Sequence, residues 1–194
     1  MIRITEIAQK QVAEILREGD QAVDATAGNG RDTLFLARLV GSSGRVYAFD
    51  IQQEALDETA ALLDHHNMSE RVDLIHAGHE TMAAYVEGPV TAVMFNLGYR
   101  PGGDRSIVTR PESTLRGLAA AIQLLKPGGL ATLVLYPGHA EGEKEKSALL
   151  EYCSGFDGSA FGVVHSRLLN RGKAPPELLI VKKFGQYPQF LTGQ

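Results

Sequence analysis

The sequence contains no tryptophan and a single cysteine, Cys153, among its 194 residues. One cysteine cannot form an internal disulfide, so we expect a reducing compartment, the cytoplasm. No apolar run approaches the ~20 residues that a membrane-spanning helix requires, and the N-terminus lacks the basic and then apolar pattern of a signal peptide. The formal net charge of −4 also argues against a strongly basic surface for nucleic acid.

The sequence does have enough apolar residues for one compact domain. Hydrophobic residues make up 44% of the chain, and its length is near the usual size of a single domain. No linker or internal repeat interrupts it. We therefore expect residues 1–194 to form one domain.

Apolar runs typical of strands alternate with amphipathic segments typical of helices. This alternation predicts a Rossmann-like α/β fold, with a seven-stranded, mainly parallel sheet and helices on both faces. The short connection before the last strand favours an antiparallel pairing there. The predicted helices are Ile4–Arg17, Arg31–Val40, Glu54–His65, His79–Val86, Glu112–Leu125 and Gly142–Tyr152, and the predicted strands are Ala22–Ala25, Arg45–Asp50, Val72–His76, Val90–Asn96, Leu130–Tyr136, Ala160–Leu169 and Glu177–Phe184.

A glycine turn follows the first predicted strand. Asp24 lies near the end of that strand, and Gly28 and Gly30 allow the backbone to turn sharply and to approach a ligand closely. Asp50 ends the second strand, in the position where an acid reaches the two hydroxyls of a ribose. The alternative is an ordinary tight turn, but the two acids around the glycines favour a nucleoside cofactor.

The turn lacks the third small residue of a dinucleotide-binding loop. Arg31, Asp32 and Thr33 follow Gly30, and Asp32 would repel a phosphate, which disfavours an NAD-linked oxidoreductase. S-adenosylmethionine (SAM) carries a sulfonium and an ammonium and no phosphate, so it suits these acids. The expected SAM-binding residues are Asp24, Thr26, Gly28, Asn29, Gly30, Asp32, Thr33, Asp50, Ile51, Gln52, Gly78 and His79.

The fourth predicted strand ends in Asn96-Leu-Gly-Tyr99, at the edge where open parallel sheets bind ligands. The side-chain carbonyl of Asn96 can accept a hydrogen bond from an amine and aim its lone pair, and Tyr99 can stack on a base. The tetrapeptide resembles the Asn-Pro-Pro-Tyr motif of methyltransferases that modify base nitrogens, with Leu97 and Gly98 in place of the prolines. The alternative is that Asn96 caps a turn and Tyr99 fills a groove.

Two more candidates follow the fifth strand. His139 is a candidate for taking a proton or for holding the base, and Tyr136 for stacking or for a polar contact. The predicted catalytic residues are therefore Asn96, Tyr99, Tyr136 and His139. We expect no metal, because His76 and His79 lie on either side of a strand-to-helix turn and no cysteine cluster accompanies them.

Four segments together resemble one family: Thr26–Thr33, Phe95–Asp104, Tyr136–His139 and Pro175–Glu177. They are similar to the YtqB/MnmM family of class I SAM-dependent methyltransferases, long labelled rRNA methylases, and the resemblance spans nearly the whole chain. It implies a sheet whose last strand is antiparallel. It also implies methylation of the amino group of 5-aminomethyluridine, often 2-thiolated, at the wobble position of tRNA, which gives the 5-methylaminomethyl form.

Two basic stretches, Arg100–Arg116 and Arg167–Lys183, predict a local and salt-sensitive contact with RNA, although each can also be a solvated face. The expected partner is the anticodon region of tRNA, with no membrane contact. A homodimer would extend the RNA footprint, but no stretch specifies an interface. Two alternatives stay open: a SAM enzyme acting on rRNA or on a small-molecule amine, and a non-catalytic protein that keeps the cofactor fold.

Overall fold

A computed structural model describes residues 3–98, 109–172 and 174–185. Seven strands and five α-helices alternate along these residues, together with 3-10 helices at Ser69–Arg71 and His79–Ala84. The strands are β1 Gln21–Asp24, β2 Arg45–Asp50, β3 Val72–His76, β4 Val90–Asn96, β5 Leu125–Leu135, β6 Phe161–Arg167 and β7 Glu177–Lys183. The helices are α1 Ile4–Ala13, α2 Arg31–Val40, α3 Gln53–His65, α4 Pro111–Leu124 and α5 Ala140–Ser154.

The seven strands form one sheet in the order β3-β2-β1-β4-β5-β7-β6. β1 pairs in parallel with both β2 and β4, and β4 pairs in parallel with β5. β7 lies antiparallel between β5 and β6. The predicted mainly parallel sheet with an antiparallel last strand is therefore confirmed.

Helices cover both faces of the sheet. Buried side chains of α1, α2 and α3 pack with one set of strand residues, and those of α4 and α5 pack with the other. β4 shows the alternation, because Ala92 and Met94 point to the first face while Val93 and Phe95 point to the second. All of β4 except Asn96 is buried, as expected for a central parallel strand covered on both sides.

Several element boundaries differ from the prediction. α1 ends at Ala13 instead of Arg17, because the Arg17 guanidinium donates hydrogen bonds to the carbonyls of Ala13, Glu14 and Leu16 and so caps the helix. The segment Lys126–Gly129 lies within β5 instead of preceding it. There Leu125 already pairs with Val90, and the next four residues form an irregularity in the register.

Two further differences concern the ends of helices. The predicted helix from His79 is a shorter 3-10 helix that ends at Ala84, and α5 begins two residues before the predicted Gly142. Within the described ranges, no helix combines the length and the apolar character needed to cross a membrane.

Gly44 offers a test of the packing between α2 and β2. A Cβ at Gly44 would lie 2.5 Å from the carbonyl oxygen of Asp20 and 2.5 Å from Cβ of Val40. We expect Gly44→Ala to lower the free energy of unfolding by about 1–3 kcal/mol, as overpacking does. The matched control is Gly158→Ala, where a Cβ meets nothing within 4 Å. Urea unfolding measures both, and equal stabilities of the two variants would contradict this packing.

Candidate active site

The carboxyl ends of the central strands lie side by side at one edge of the sheet. Asp24 at the end of β1 is in register with Ala48 in β2 and with Met94 in β4, and Asn96 at the end of β4 is in register with Val134 in β5. The order of the strands reverses between β1 and β4. Ligands of open α/β sheets bind outside the carboxyl ends at such a switch point.

The turn after β1 depends on its two glycines. Gly28 and Gly30 have φ values of +53° and +74°, a region that side-chain-bearing residues rarely adopt. A Cβ at Gly30 would also lie 3.0 Å from Thr59 of α3, whereas a Cβ at Gly28 would meet no atom closer than 3.8 Å. Asn29 lies half-buried between them. Gly28 thus leaves open space in which a ligand can approach the backbone.

Asp24 is buried, with 1% of its surface exposed. Its carboxylate accepts hydrogen bonds from the Thr33 hydroxyl at 2.6 Å and from the Thr26 backbone N–H at 3.1 Å. Burial, together with the nearby Asp32 and Asp50 carboxylates, raises the pKa of Asp24 to about 7, although the hydrogen bonds from Thr33 and Thr26 oppose the increase. This acid therefore joins the turn to the start of α2.

Asp32 adds a second acid on the first turn of α2. The side-chain amide of Gln9, on α1, donates a hydrogen bond of 2.8 Å to it. Burial raises the pKa of Asp32, and the hydrogen bond from Gln9 opposes that increase. The pKa values of both Asp24 and Asp32 are thus raised because no cation among the described residues offsets their desolvation. A positively charged ligand would relieve this cost.

Asp50 connects the end of β2 to the glycine turn through hydrogen bonds. One carboxylate oxygen accepts from the Gly28 N–H and the other from the Gln52 N–H, each at 2.9 Å. Ile51 follows with 57% of its surface exposed, and its carbonyl oxygen lies 3.0 Å from Nε2 of His76. An exposed apolar side chain beside this acid is a suitable surface for an adenine ring.

The end of β4 is joined directly to the glycine turn. The backbone N–H of Asn96 donates a hydrogen bond of 2.7 Å to the Thr26 hydroxyl. Leu97 is buried, and its N–H donates to the carbonyl of Val134 in β5. The Asn96 side chain is therefore carried on a backbone that is held from both sides.

Gly98 and Thr109 are joined by a reciprocal pair of hydrogen bonds. The Gly98 N–H donates to the Thr109 hydroxyl at 2.9 Å, and the Thr109 N–H donates to the Gly98 carbonyl at 3.2 Å. Tyr99 lies outside the described residues, so its role stays a prediction.

A buried acid on α5 anchors Thr109. Glu145 is 3% exposed, and its two carboxylate oxygens accept from the hydroxyls of Thr109, at 2.9 Å, and Thr114, at 2.6 Å. Burial raises the pKa of Glu145, and the two hydroxyl donors oppose the increase. Glu145 thereby connects α5 to Thr109 and to the start of α4.

His139 is the N-cap of α5. Its Nδ1 accepts a hydrogen bond of 3.1 Å from the Gly142 N–H, so the neutral ring carries its proton on Nε2. Nε2 is buried and has no partner among the described residues. The only lone pair of the neutral ring is thus already in use, which favours holding a base over taking a proton.

Tyr136 lies next to both the Asn96 strand and α5. Its ring would be 3.6 Å from a Cβ at Gly98, and its carbonyl oxygen would be 2.1 Å from a Cβ at Gly142. Gly142 therefore allows α5 to approach the end of β5 closely. Of the four predicted catalytic residues, the structure brings Asn96, Tyr136 and His139 to the same edge of the sheet.

Gly78 and His79 differ from each other in placement. Gly78 is the half-exposed N-cap of the 3-10 helix, whereas His79 is 7% exposed and its ring packs edge-on against Phe95, 5.5 Å away between centroids. Burial lowers the pKa of His79, although Glu80 opposes this. The His79 ring lies inside the core instead of at the open edge. This placement does not favour a contact between His79 and a cofactor, and that contact stays a prediction.

The sequence analysis missed three residues at this site because they belong to none of its motifs: Thr59, Thr109 and Glu145. Thr59 is buried under Gly30, with its hydroxyl 3.4 Å from the Gly28 carbonyl. Thr59 and Glu145 could have been found as polar residues within the buried stripes of their helices, since Glu145 is four residues before the buried Leu149. Thr109 carries no such signal.

The fold and this edge together define a class I SAM-dependent methyltransferase. The site fits that cofactor by its chemistry, because it offers open backbone at Gly28 and three acids, Asp24, Asp32 and Asp50, toward a cation. The profile of the family described as "Putative rRNA methylase" matches residues 46–182. The chain belongs to this family, which confirms the resemblance drawn from the motifs.

Individual relatives support the same assignment. A "tRNA (mnm(5)s(2)U34)-methyltransferase, chloroplastic" of Arabidopsis thaliana is 39% identical over 191 residues, which are 93% of this chain and 70% of the relative. The solved structure of a "putative rRNA-methylase" from Clostridium thermocellum is 44% identical, with a TM-score of 0.93 over 95% of this chain and 99% of that one. A "putative methyltransferase" of Streptococcus mutans was solved in complex with S-adenosylhomocysteine (SAH). It is 35% identical, with a TM-score of 0.86 over 95% of this chain and 99% of that one.

Asp50 provides a first test of the site. Asp50→Ala removes an acceptor for ribose hydroxyls and also releases the Gly28 and Gln52 N–H groups. We expect SAM affinity to fall by about 1.5–3 kcal/mol, or roughly 10- to 150-fold, because the lost hydrogen bonds involve a charged group. Asp57→Ala, an exposed acid on α3, is the charge-matched control. Titration calorimetry measures both, and unchanged binding by Asp50→Ala would reject this role.

The pKa of Asp24 predicts a pH dependence of SAM binding. In the free protein this carboxyl holds its proton up to about pH 7, and a cation favours its ionised form, so binding releases a proton. SAM affinity therefore rises with pH by at most about tenfold per unit below pH 7 and levels off above it. S-adenosylhomocysteine (SAH), which lacks the sulfonium charge, should show a weaker slope. Calorimetry with both ligands tests this, and equal slopes would contradict it.

Proposed function

We propose that this protein is a SAM-dependent tRNA methyltransferase. It transfers a methyl group to the amine of 5-aminomethyluridine, or its 2-thio form, at the wobble position, and forms 5-methylaminomethyluridine. The observation that carries the proposal is the placement of Asn96 beside the cofactor turn, tied to it through Thr26. The name and coverage of the Arabidopsis thaliana relative support the choice of substrate.

The cofactor half of the site is assigned to the residues around β1 and β2. SAM, when bound, supplies the methyl group from its sulfonium. Asp50 holds the ribose hydroxyls, and Gly28 and Gly30 let the backbone approach closely. Ile51 and Gln52 border the adenine. The methionine portion faces Asn29, Asp32 and Thr33, while Asp24 holds the turn in place and adds negative charge near the cation.

The substrate half of the site orients the amine. An alkyl amine is nucleophilic only when it is neutral, so the site must hold its lone pair free and in line with the methyl carbon. The Asn96 carbonyl oxygen accepts a hydrogen bond from the amine N–H. Tyr99 and Tyr136 stack on the base, and His139 is the further candidate for holding it. Methylation of the neutral amine forms an N–C bond as the S–C bond of the sulfonium breaks, which would leave S-adenosylhomocysteine and an ammonium, and the ammonium then releases one proton to water.

The proposal also covers the domain, the part of the tRNA that it contacts and the cellular compartment. Residues 1–194 form one methyltransferase domain that acts on the anticodon region of tRNA in the cytoplasm. A homodimer would widen the RNA contact. The family description "Putative rRNA methylase" favours rRNA as the second candidate substrate, with the same N-methyl chemistry at the same site.

The decisive experiment uses bulk tRNA from cells that cannot complete wobble-uridine methylation. The purified protein is incubated with labelled SAM and this tRNA, and the labelled nucleoside is identified by mass spectrometry. We expect label in 5-methylaminomethyluridine. Ribosomal RNA and small amines are tested in parallel. If label appears only in one of those, while SAM still binds, the tRNA assignment fails and the cofactor assignment stands.

Asn96→Ala is the matched variant for this assay. We expect single-turnover methylation to be lost, because the amine is no longer oriented, while calorimetry still detects SAM binding with wild-type affinity. The Thr26 hydrogen bond comes from the Asn96 backbone, so the substitution leaves the cofactor turn intact. Full single-turnover activity of Asn96→Ala would disprove its catalytic role.

A further inference from the structure

A cleft of about 300 Å³ lies beside the proposed substrate site and outside the residues assigned to SAM. It is formed where the start of α1, the end of β5 and the connection between β6 and β7 meet. Its lining includes Arg3, Tyr136, Leu168, Arg171, Pro175 and Pro176. We call it the arginine cleft. Its volume is at the lower end of the range of small-ligand pockets.

The lining combines flat apolar surfaces with two guanidinium groups. Leu168, Pro175 and Pro176 provide apolar walls, and Leu169, which follows directly, is 82% exposed. Arg3 and Arg171 are the charged residues of the lining, and Arg3 also pairs with Glu6 at 3.8 Å. Single-stranded RNA is bound in this way, with bases against apolar or aromatic side chains and phosphates on arginines.

The cleft is continuous with the substrate site through one side chain. Tyr136 lines the cleft, and the same ring would lie 3.6 Å from a Cβ at Gly98, two residues after Asn96. A ligand in the cleft is therefore separated from the Asn96 segment by little more than the Tyr136 ring. An RNA strand with one nucleotide at Asn96 can therefore place the neighbouring nucleotide in the cleft.

We infer that the arginine cleft holds a nucleotide adjacent to the modified uridine. Its base packs against Leu168 and the two prolines, and its phosphate contacts Arg3 or Arg171. This inference rests on the proposed RNA substrate and extends it. The reacting amine alone is a small group, so contacts to a neighbouring nucleotide would explain how the enzyme selects it within an RNA.

The test is the double variant Arg3→Glu/Arg171→Glu. The control is Lys10→Glu/Arg38→Glu, which makes the same change in net charge at exposed positions on α1 and α2 away from the cleft. We expect the KM for tRNA to rise at least tenfold over the control, with kcat and SAM affinity retained. The slope of log affinity against log salt should fall by about 0.7 for each lost phosphate contact.

A second measurement locates the neighbouring nucleotide directly. Anticodon-arm RNA carrying 4-thiouridine on either side of the modified position is irradiated with the protein, and the cross-linked peptide is identified. We expect one of the two positions to cross-link to a peptide containing Tyr136 or Leu168. Cross-links confined to other peptides, together with a KM equal to that of the control, would overturn the inference.

The two proposals fail in distinguishable ways. If the wild-type protein methylates tRNA and the cleft variant behaves like its control, the cleft inference is wrong and the proposed function stands. If the wild-type protein methylates no tRNA, equilibrium binding of the anticodon-arm RNA decides. Binding weakened only in the cleft variant then supports an RNA cleft without the tRNA activity, and equal binding in both variants rejects the cleft as well.

Discussion

The hydrogen bond from the Asn96 N–H to the Thr26 hydroxyl is the contact on which the site depends. It joins the end of β4 to the turn after β1, two strands that are adjacent in the sheet but far apart in sequence. Asp24 ties the same turn to α2 through Thr33, and Asp50 ties it to β2 through Gly28. The turn after β1 and the end of β4 are therefore held in a fixed relative position, which is the kind of preorganisation that positioning in catalysis requires.

The proposed cofactor half of the site concentrates negative charge where the described residues supply no cation to offset it. Asp32 and Asp50 both repel the Asp24 carboxylate, and burial raises the pKa of Asp24 and of Asp32. Such perturbed acids are typical of functional sites, because the arrangement is unfavourable for the protein alone and becomes favourable with the right ligand. A dinucleotide phosphate would increase the repulsion, whereas a sulfonium and an ammonium reduce it. Under the proposed function, the same acids would therefore provide both affinity and selectivity.

The substrate half is supported from the other end of the chain. α5 contributes His139 as its N-cap and Glu145 as a buried acceptor for two threonine hydroxyls, and both contacts stabilise the segments that flank the open edge. α1 connects the two halves, since Gln9 donates to Asp32 while Arg3 lines the cleft beside Tyr136. A change in the position of α1 would therefore affect both cofactor and substrate contacts, although α1 carries none of the family motifs.

The sequence by itself determined the fold class, the strand that each motif follows and the glycine turn. Periodicity, turn residues and local spacing are properties of short segments, so they can be recognised without the tertiary structure. It also placed Asp24, Asp50 and Asn96 at strand ends. Only the tertiary structure decided which groups meet: the Thr26 bond to Asn96, the burial of His79 against Phe95, the tautomer of His139 and the anchoring of Thr109 by Glu145. These contacts join residues from different elements, and their hydrogen bonds and burial depend on packing that no local pattern encodes.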